Sequence, residues 1–140
     1  METLKVRMPL NPLGEVTVEA GAGSRVWLLR LFIFDRDLRY NPGVAALKKI
    51  DVRALIDALA KTMADAKNPE NFNPVATRER SDGPFGGLSL ITKFYPQGHC
   101  SHEFYARSST TGHRRFLGDV PTVIQQLENI ILAGDQMVAV

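Results

Sequence analysis

The densest collection of side chains able to do chemistry is Gly98-His99-Cys100-Ser101-His102-Glu103. Imidazole, thiol and carboxylate groups are the usual ligands of zinc, and a thiol beside an imidazole is the start of a nucleophile pair. The segment reads as a strand, and alternation divides it. His99, Ser101 and Glu103 share one face, and Cys100, His102 and Phe104 share the other. Zinc needs three or four converging ligands, whereas each face supplies two. His113 is the nearest further ligand, at a cross-strand position the sequence leaves open. Cys100 and His102 point the same way but have no evident third group to orient them. The expectation is a chain without a metal, a cofactor or catalysis of its own, in which these residues are structural or surface groups.

The densest positive cluster is Arg107, His113, Arg114 and Arg115, around Ser108-Ser-Thr-Thr-Gly112. A hairpin tip carrying hydroxyl and guanidinium groups suits phosphate oxygens, which arginine binds in a two-pronged fashion. A solvated hairpin or a contact to an acidic protein fits the same residues. Arg78 and Arg80 in the polar stretch before Pro84 would extend either surface. Phe85-Gly86-Gly87 precedes no helix, so it is read as a bulge or tight strand entry rather than a phosphate-cradling loop.

The third constellation is Arg25-Val-Trp-Leu-Leu-Arg-Leu-Phe-Ile-Phe34, an apolar run holding two arginines. Its β-branched and aromatic content predicts a strand. Trp27, Leu29, Leu31 and Ile33 then face the core. Val26, Leu28, Arg30, Phe32 and Phe34 face the other way, where Arg30 marks a surface that touches water or a partner. Trp27, Phe32, Phe34 and Tyr40 are candidate stacking platforms, with burial in a core as the competing role. Arg25, Arg30, Arg36, Arg39, Lys48 and Lys49 are candidate phosphate contacts.

The elements that must position these groups follow from periodicity. Leu4, Val6 and Met8 alternate with Lys5 and Arg7 up to Pro9, and Val16, Val18 and Ala20 alternate with Glu15, Thr17 and Glu19. These are two half-buried strands that precede the apolar one. A short extended piece from Val44 to Ile50 follows a polar loop. Asp51 is placed to cap a helix whose stripe is Val52, Leu55, Ile56, Leu59 and Met63, ending near Lys67-Asn68-Pro69. In the second half, strands are expected over 88–95, 99–107 and 113–117, with Arg78-Glu-Arg80 as a short edge strand. A second helix starts after Asp119, buries Val120, Val123, Ile124, Leu127, Ile130 and Ile131, and stops at Gly134. The tail from Gln136 to Val140 is apolar enough to dock on a sheet edge or a partner.

The class is therefore α+β: two antiparallel β-meander-then-helix units packed as one domain spanning 1–140. The units run roughly 1–67 and 76–134, joined by a polar linker over 67–84. At 140 residues the chain can bury a core without disulfides, and its single cysteine fits a reducing compartment, read as the cytoplasm. No run is long enough to span a membrane, so no membrane partner is expected. The net charge is only +2. Residues 1–70 hold 11 Lys and Arg against 9 Asp and Glu, and residues 71–140 hold 6 of each. That footprint is weak for a duplex-DNA binder and compatible with single strands, where stacking supplements charge.

One stretch, Tyr40-Asn-Pro-Gly-Val-Ala-Ala-Leu-Lys-Lys-Ile-Asp-Val-Arg-Ala-Leu-Ile-Asp-Ala-Leu59, is similar to the last strand and helix of the Whirly, PUR and positive-cofactor group of single-strand-binding proteins. The second half resembles that group by element order and has no Lys-Gly pair before its helix. The resemblance implies four-stranded sheets each followed by a helix, and binding of single-stranded DNA or RNA on an exposed sheet face, often in an oligomer. The expected function is non-catalytic nucleic-acid binding through a sheet face and basic loops. The alternative is a small protein-interaction factor, an inhibitor or assembly subunit, that docks through the apolar strand and the C-terminal tail. The surplus of apolar faces points to a homo-oligomer under either reading, most simply a dimer.

Overall fold

A computed structural model describes residues 2–34, 41–72, 74–96, 98–108 and 112–138. It has two antiparallel sheets, each with four strands in simple meander order. Sheet A contains β1 (Thr3–Pro9), β2 (Glu15–Gly21), β3 (Leu28–Ile33) and β4 (Gly43–Lys48). Helix α1 (Lys49–Asp65) follows directly. Sheet B contains β5 (Arg78–Phe85), β6 (Leu88–Phe94), β7 (Cys100–Arg107) and β8 (Gly112–Leu117), followed by α2 (Val120–Val138). The fold is α+β, as the periodicity implies.

Each helix reaches across to the other unit's sheet. α1 packs on β5 and β6, and α2 packs on β1 and β2. Polar ties fasten both. Arg80 on β5 donates to Asp65 on α1 at 2.9 Å and stacks on the Phe94 ring at 5.4 Å. The Asn11 amide donates to Gln126 on α2 at 2.8 Å. The sheets meet where β4 runs against β6 and β7. Small residues permit the approach: a Cβ at Gly43 would overlap the Ala106 backbone of β7. A single core cluster thus runs from Val16 and Leu31 in one unit to Phe104 and Ile130 in the other.

The structure corrects several local expectations. Arg78–Phe85 is a full eight-residue edge strand rather than a three-residue one. Gly86-Gly87 is the tight entry into β6 that the sequence implies, and it also seals the units together, because the Ala46 amide donates to the Gly86 carbonyl at 2.9 Å. Gly86 has φ +61°, and a Cβ there would strike the Ala46 carbonyl. Asp51 lies in the first turn of α1 rather than at its cap, and its carboxylate accepts the Lys48 amide at 3.0 Å. That is one half of a reciprocal cap.

The largest revision concerns Gly134. It does not end α2, which continues to Val138. A Cβ on Gly134 would sit 2.3 Å from the Trp27 indole, so glycine is there to let the ring lie on the helix. One residue on, Asp135 accepts from Trp27 Nε1 at 3.0 Å and from Lys49 Nζ at 2.8 Å. The apolar tail is thereby corrected too: Gln136 to Val138 is helical, and Met137 and Val138 pack against the core. Residues 139–140 lie outside the described residues.

Candidate nucleic-acid interface

Trp27, Leu29, Leu31 and Ile33 are buried, which settles Trp27 as core. Val26, Phe32 and Phe34 are exposed on the opposite side. The strand register maps this outward face of sheet A in rows. The first row is Lys5, Glu19, Leu28 and Lys48 on β1 to β4; the second is Arg7, Thr17, Arg30 and Ala46. Beyond them Phe32 lies opposite Val44. Phe32 is 41% and Phe34 50% exposed, with ring centroids 6.2 Å apart.

Charge on this face is partly neutralised. Arg30 donates from Nε and Nη2 to Glu19 at 2.9 and 2.8 Å, which explains how an arginine sits inside so apolar a strand. Arg7 faces Glu15 at 3.9 Å, a contact between mobile exposed groups that contributes little. Lys5 and Lys48 stand at opposite ends of the first row. Sequence reading passed over Lys5 and Arg7. Their alternation with Leu4, Val6 and Met8 placed them on an outward face, but only the register puts that face beside Arg30.

The other candidate residues are dispersed. Arg25 precedes β3 and borders a cleft with Leu4, Ser24 and Met137, away from the two phenylalanines. Lys49 is turned toward Asp135 and ties α1 to α2. Arg80 belongs to the half-buried contact beside α1, paired with Asp65 and stacked on Phe94. Arg78 stands on the edge of sheet B, 3.5 Å from the Glu70 carbonyl. His113 is buried and faces inward. Arg115 shares that register and reaches the Pro12 carbonyl at 3.3 Å. Lys49 and Arg80 thus have carboxylate partners within the scaffold, and His113 is turned into the protein. Arg107 and Arg114 lie on the outward face of sheet B, so the basic hairpin is split between two sides of its sheet. Arg36, Arg39 and Tyr40 lie outside the described residues.

The histidine and cysteine cluster divides as alternation requires. Among the described residues, no three His, Cys, Asp or Glu side chains come together. His102 is buried with Nε2 2.8 Å from Thr62 Oγ1, whose own proton goes to the Leu59 carbonyl. The imidazole therefore donates there from Nε2, a role that both its neutral and its protonated forms can fill. Burial first, and the Arg80 charge second, push its pKa down, while burial pushes the Cys100 thiol up. Both shifts oppose a thiolate–imidazolium pair.

No family model, curated protein or solved structure matches this chain.

Proposed function

We propose that the protein binds single-stranded nucleic acid on the outward face of sheet A, without chemistry of its own. The observation that carries this reading is the adjacent, exposed pair Phe32 and Phe34 on a face that neither helix covers. Base–aromatic stacking contributes about 1–3 kcal/mol per base, enough for useful affinity when surface charge is modest. Lys5, Arg7, Arg30 and Lys48 lie on the same face to one side of the platform and supply phosphate contacts, although two of them have carboxylate neighbours. A flexible single strand can follow such a face, whereas duplex binding relies on a stronger basic footprint. Four strands and a helix, twice over, is also the element order of the Whirly, PUR and positive-cofactor group.

The test is a titration with single-stranded DNA, single-stranded RNA and duplex DNA. Phe32→Ala combined with Phe34→Ala should weaken single-strand binding at least about tenfold while leaving the unfolding transition nearly unchanged, because both rings are half in water. Failure of the wild-type protein to bind any of the three at low salt rules the reading out.

Val26, Phe32, Phe34 and Val44, all exposed, favour a second reading in which a protein partner or a second copy covers this patch. A dimer by light scattering that the same double substitution converts to monomer would select it.

A further inference from the structure

The outward face of sheet B repeats the layout of sheet A with its charges exchanged. On β3, Arg30 pairs diagonally with Glu19 of β2. On β7, the third strand of the other unit, Glu103 pairs diagonally with Lys93 of β6, Oε1 to Nζ 3.5 Å. An aromatic residue follows two positions later in each strand, Phe32 in one and Tyr105 in the other.

Glu103 is nevertheless only 3% exposed, and Ile91 beside it 5%, on a side that carries neither helix. Arg114 on edge strand β8 meets Glu79 on the opposite edge strand β5, Nη2 to Oε1 3.7 Å. Arg114 lies opposite Tyr105, and Glu79 lies in the row of Lys93 and Ser101. The line joining them therefore crosses the sheet over Glu103 and Ile91, which lie between those rows. A side-chain strap thus crosses this face above them. Beneath it, Glu103 Oε1 is sealed from water, and the Lys93 ammonium, 3.5 Å away, is too distant to make a good hydrogen bond to it. An ionised carboxylate is an acceptor only, and an incompletely satisfied buried one is costly. It calls for a donor.

Phe116 lies directly across from Glu103 and is 59% exposed. Cross-strand neighbours stand about 5 Å apart, so a ring stacked on Phe116 brings its edge to the carboxylate. Arg107 and Arg114 on the same face are placed for a phosphate. We propose that this face is a second nucleotide site in which, once the strap opens, Glu103 accepts a hydrogen bond from the exocyclic amino group of a cytosine stacked on Phe116. The inference rests on the single-strand reading and adds base choice to it. Thymine and uracil carry a carbonyl where cytosine carries its amino group, and two acceptors facing each other repel. The Arg114–Glu79 strap, at 3.7 Å, and the Lys93–Glu103 contact, at 3.5 Å, are both longer than good charge-assisted hydrogen bonds, so a base that offers a better donor can displace them.

The experiment compares oligo(dC) with oligo(dT) of equal length at neutral pH and fixed salt. Wild-type protein should bind oligo(dC) roughly five- to tenfold more tightly, the effect of one charge-assisted hydrogen bond. Glu103→Gln should bring the ratio near one, even if losing a negative charge raises both affinities. An oligonucleotide of dimethylated cytosine, with no amino hydrogen left to donate, should bind wild-type protein like oligo(dT). That arm needs no variant to fold. Phe32→Ala with Phe34→Ala should weaken both oligonucleotides and preserve the ratio. Equal wild-type affinities for oligo(dC) and oligo(dT) overturn the cytosine site and leave the single-strand reading intact. No binding to either overturns both.

Discussion

Gly134 shows how one residue type can answer to two unrelated demands. A glycine after a helical stripe is a common stop signal, and the same residue is also the one that lets another group touch a helix backbone. The indole of Trp27 occupies the space a side chain would need. Gly134→Ala should improve the local helix propensity yet destabilise the protein, by about 1–3 kcal/mol, because the ring has to move off its place. Urea unfolding followed by fluorescence reads this directly, since Trp27 is the only tryptophan. A more stable variant would mean that the ring relaxes freely.

His102 carries a pH dependence of definite sign. Its folded pKa lies below the ordinary 6.5, through burial and then Arg80. In the window below 6.5 the unfolded chain binds the proton first, so stability rises with pH there. The neutral, Thr62-bound imidazole contributes fully above 6.5, and that contribution is lost as pH falls toward the depressed folded value. Comparing urea midpoints slightly above and well below 6.5, the drop at low pH should be smaller in His102→Gln than in wild type. An identical drop in both proteins would assign the acid sensitivity elsewhere.

At the scale of elements, the crossing of helices makes each unit depend on the other. α1 covers part of sheet B and α2 covers part of sheet A, so shortening either helix uncovers part of the other unit's sheet. The last turn of α2 holds Gly134 against Trp27 and Asp135 between Trp27 and Lys49. Ending the chain after Ala133, where the sequence alone would stop the helix, should therefore lower stability by several kcal/mol rather than remove a loose end. Thermal unfolding of the shortened chain against the full one measures it. A transition unchanged within a degree or two would show that the final turn is dispensable.

The whole molecule presents two sheet faces that no helix covers, and both carry arginine, lysine and aromatic side chains among carboxylates. Binding of a single strand should weaken with salt, with a log–log slope near −0.7 per phosphate engaged. Three or four phosphates predict a slope of about −2 to −3, shallow for a nucleic-acid binder because Glu15, Glu19, Glu79 and Glu103 already offset some of the cations. Titrations across a range of potassium chloride concentrations test this, and a flat response would point to an apolar protein interface instead. None of the helices among the described residues is long and apolar enough to cross a membrane.

Alternation and helical spacing are local properties, and they were legible in the chain itself. They determined the order of strands and helices, the burial of Trp27, Leu29, Leu31 and Ile33, the outward turn of Phe32 and Phe34, and the splitting of the His99–Glu103 cluster. A strand's period says which residues share a face, but not which strand lies beside it or what lies on top. Only the tertiary structure decided that Lys5 and Arg7 join Arg30, and that Lys49 and Arg80 spend their charge on Asp135 and Asp65. It also decided that each helix crosses to the other sheet, and that Glu103 sinks beneath a strap anchored on opposite edges of its sheet. Those outcomes depend on pairs of residues far apart in the chain, whose meeting is set by register and packing rather than by any local preference.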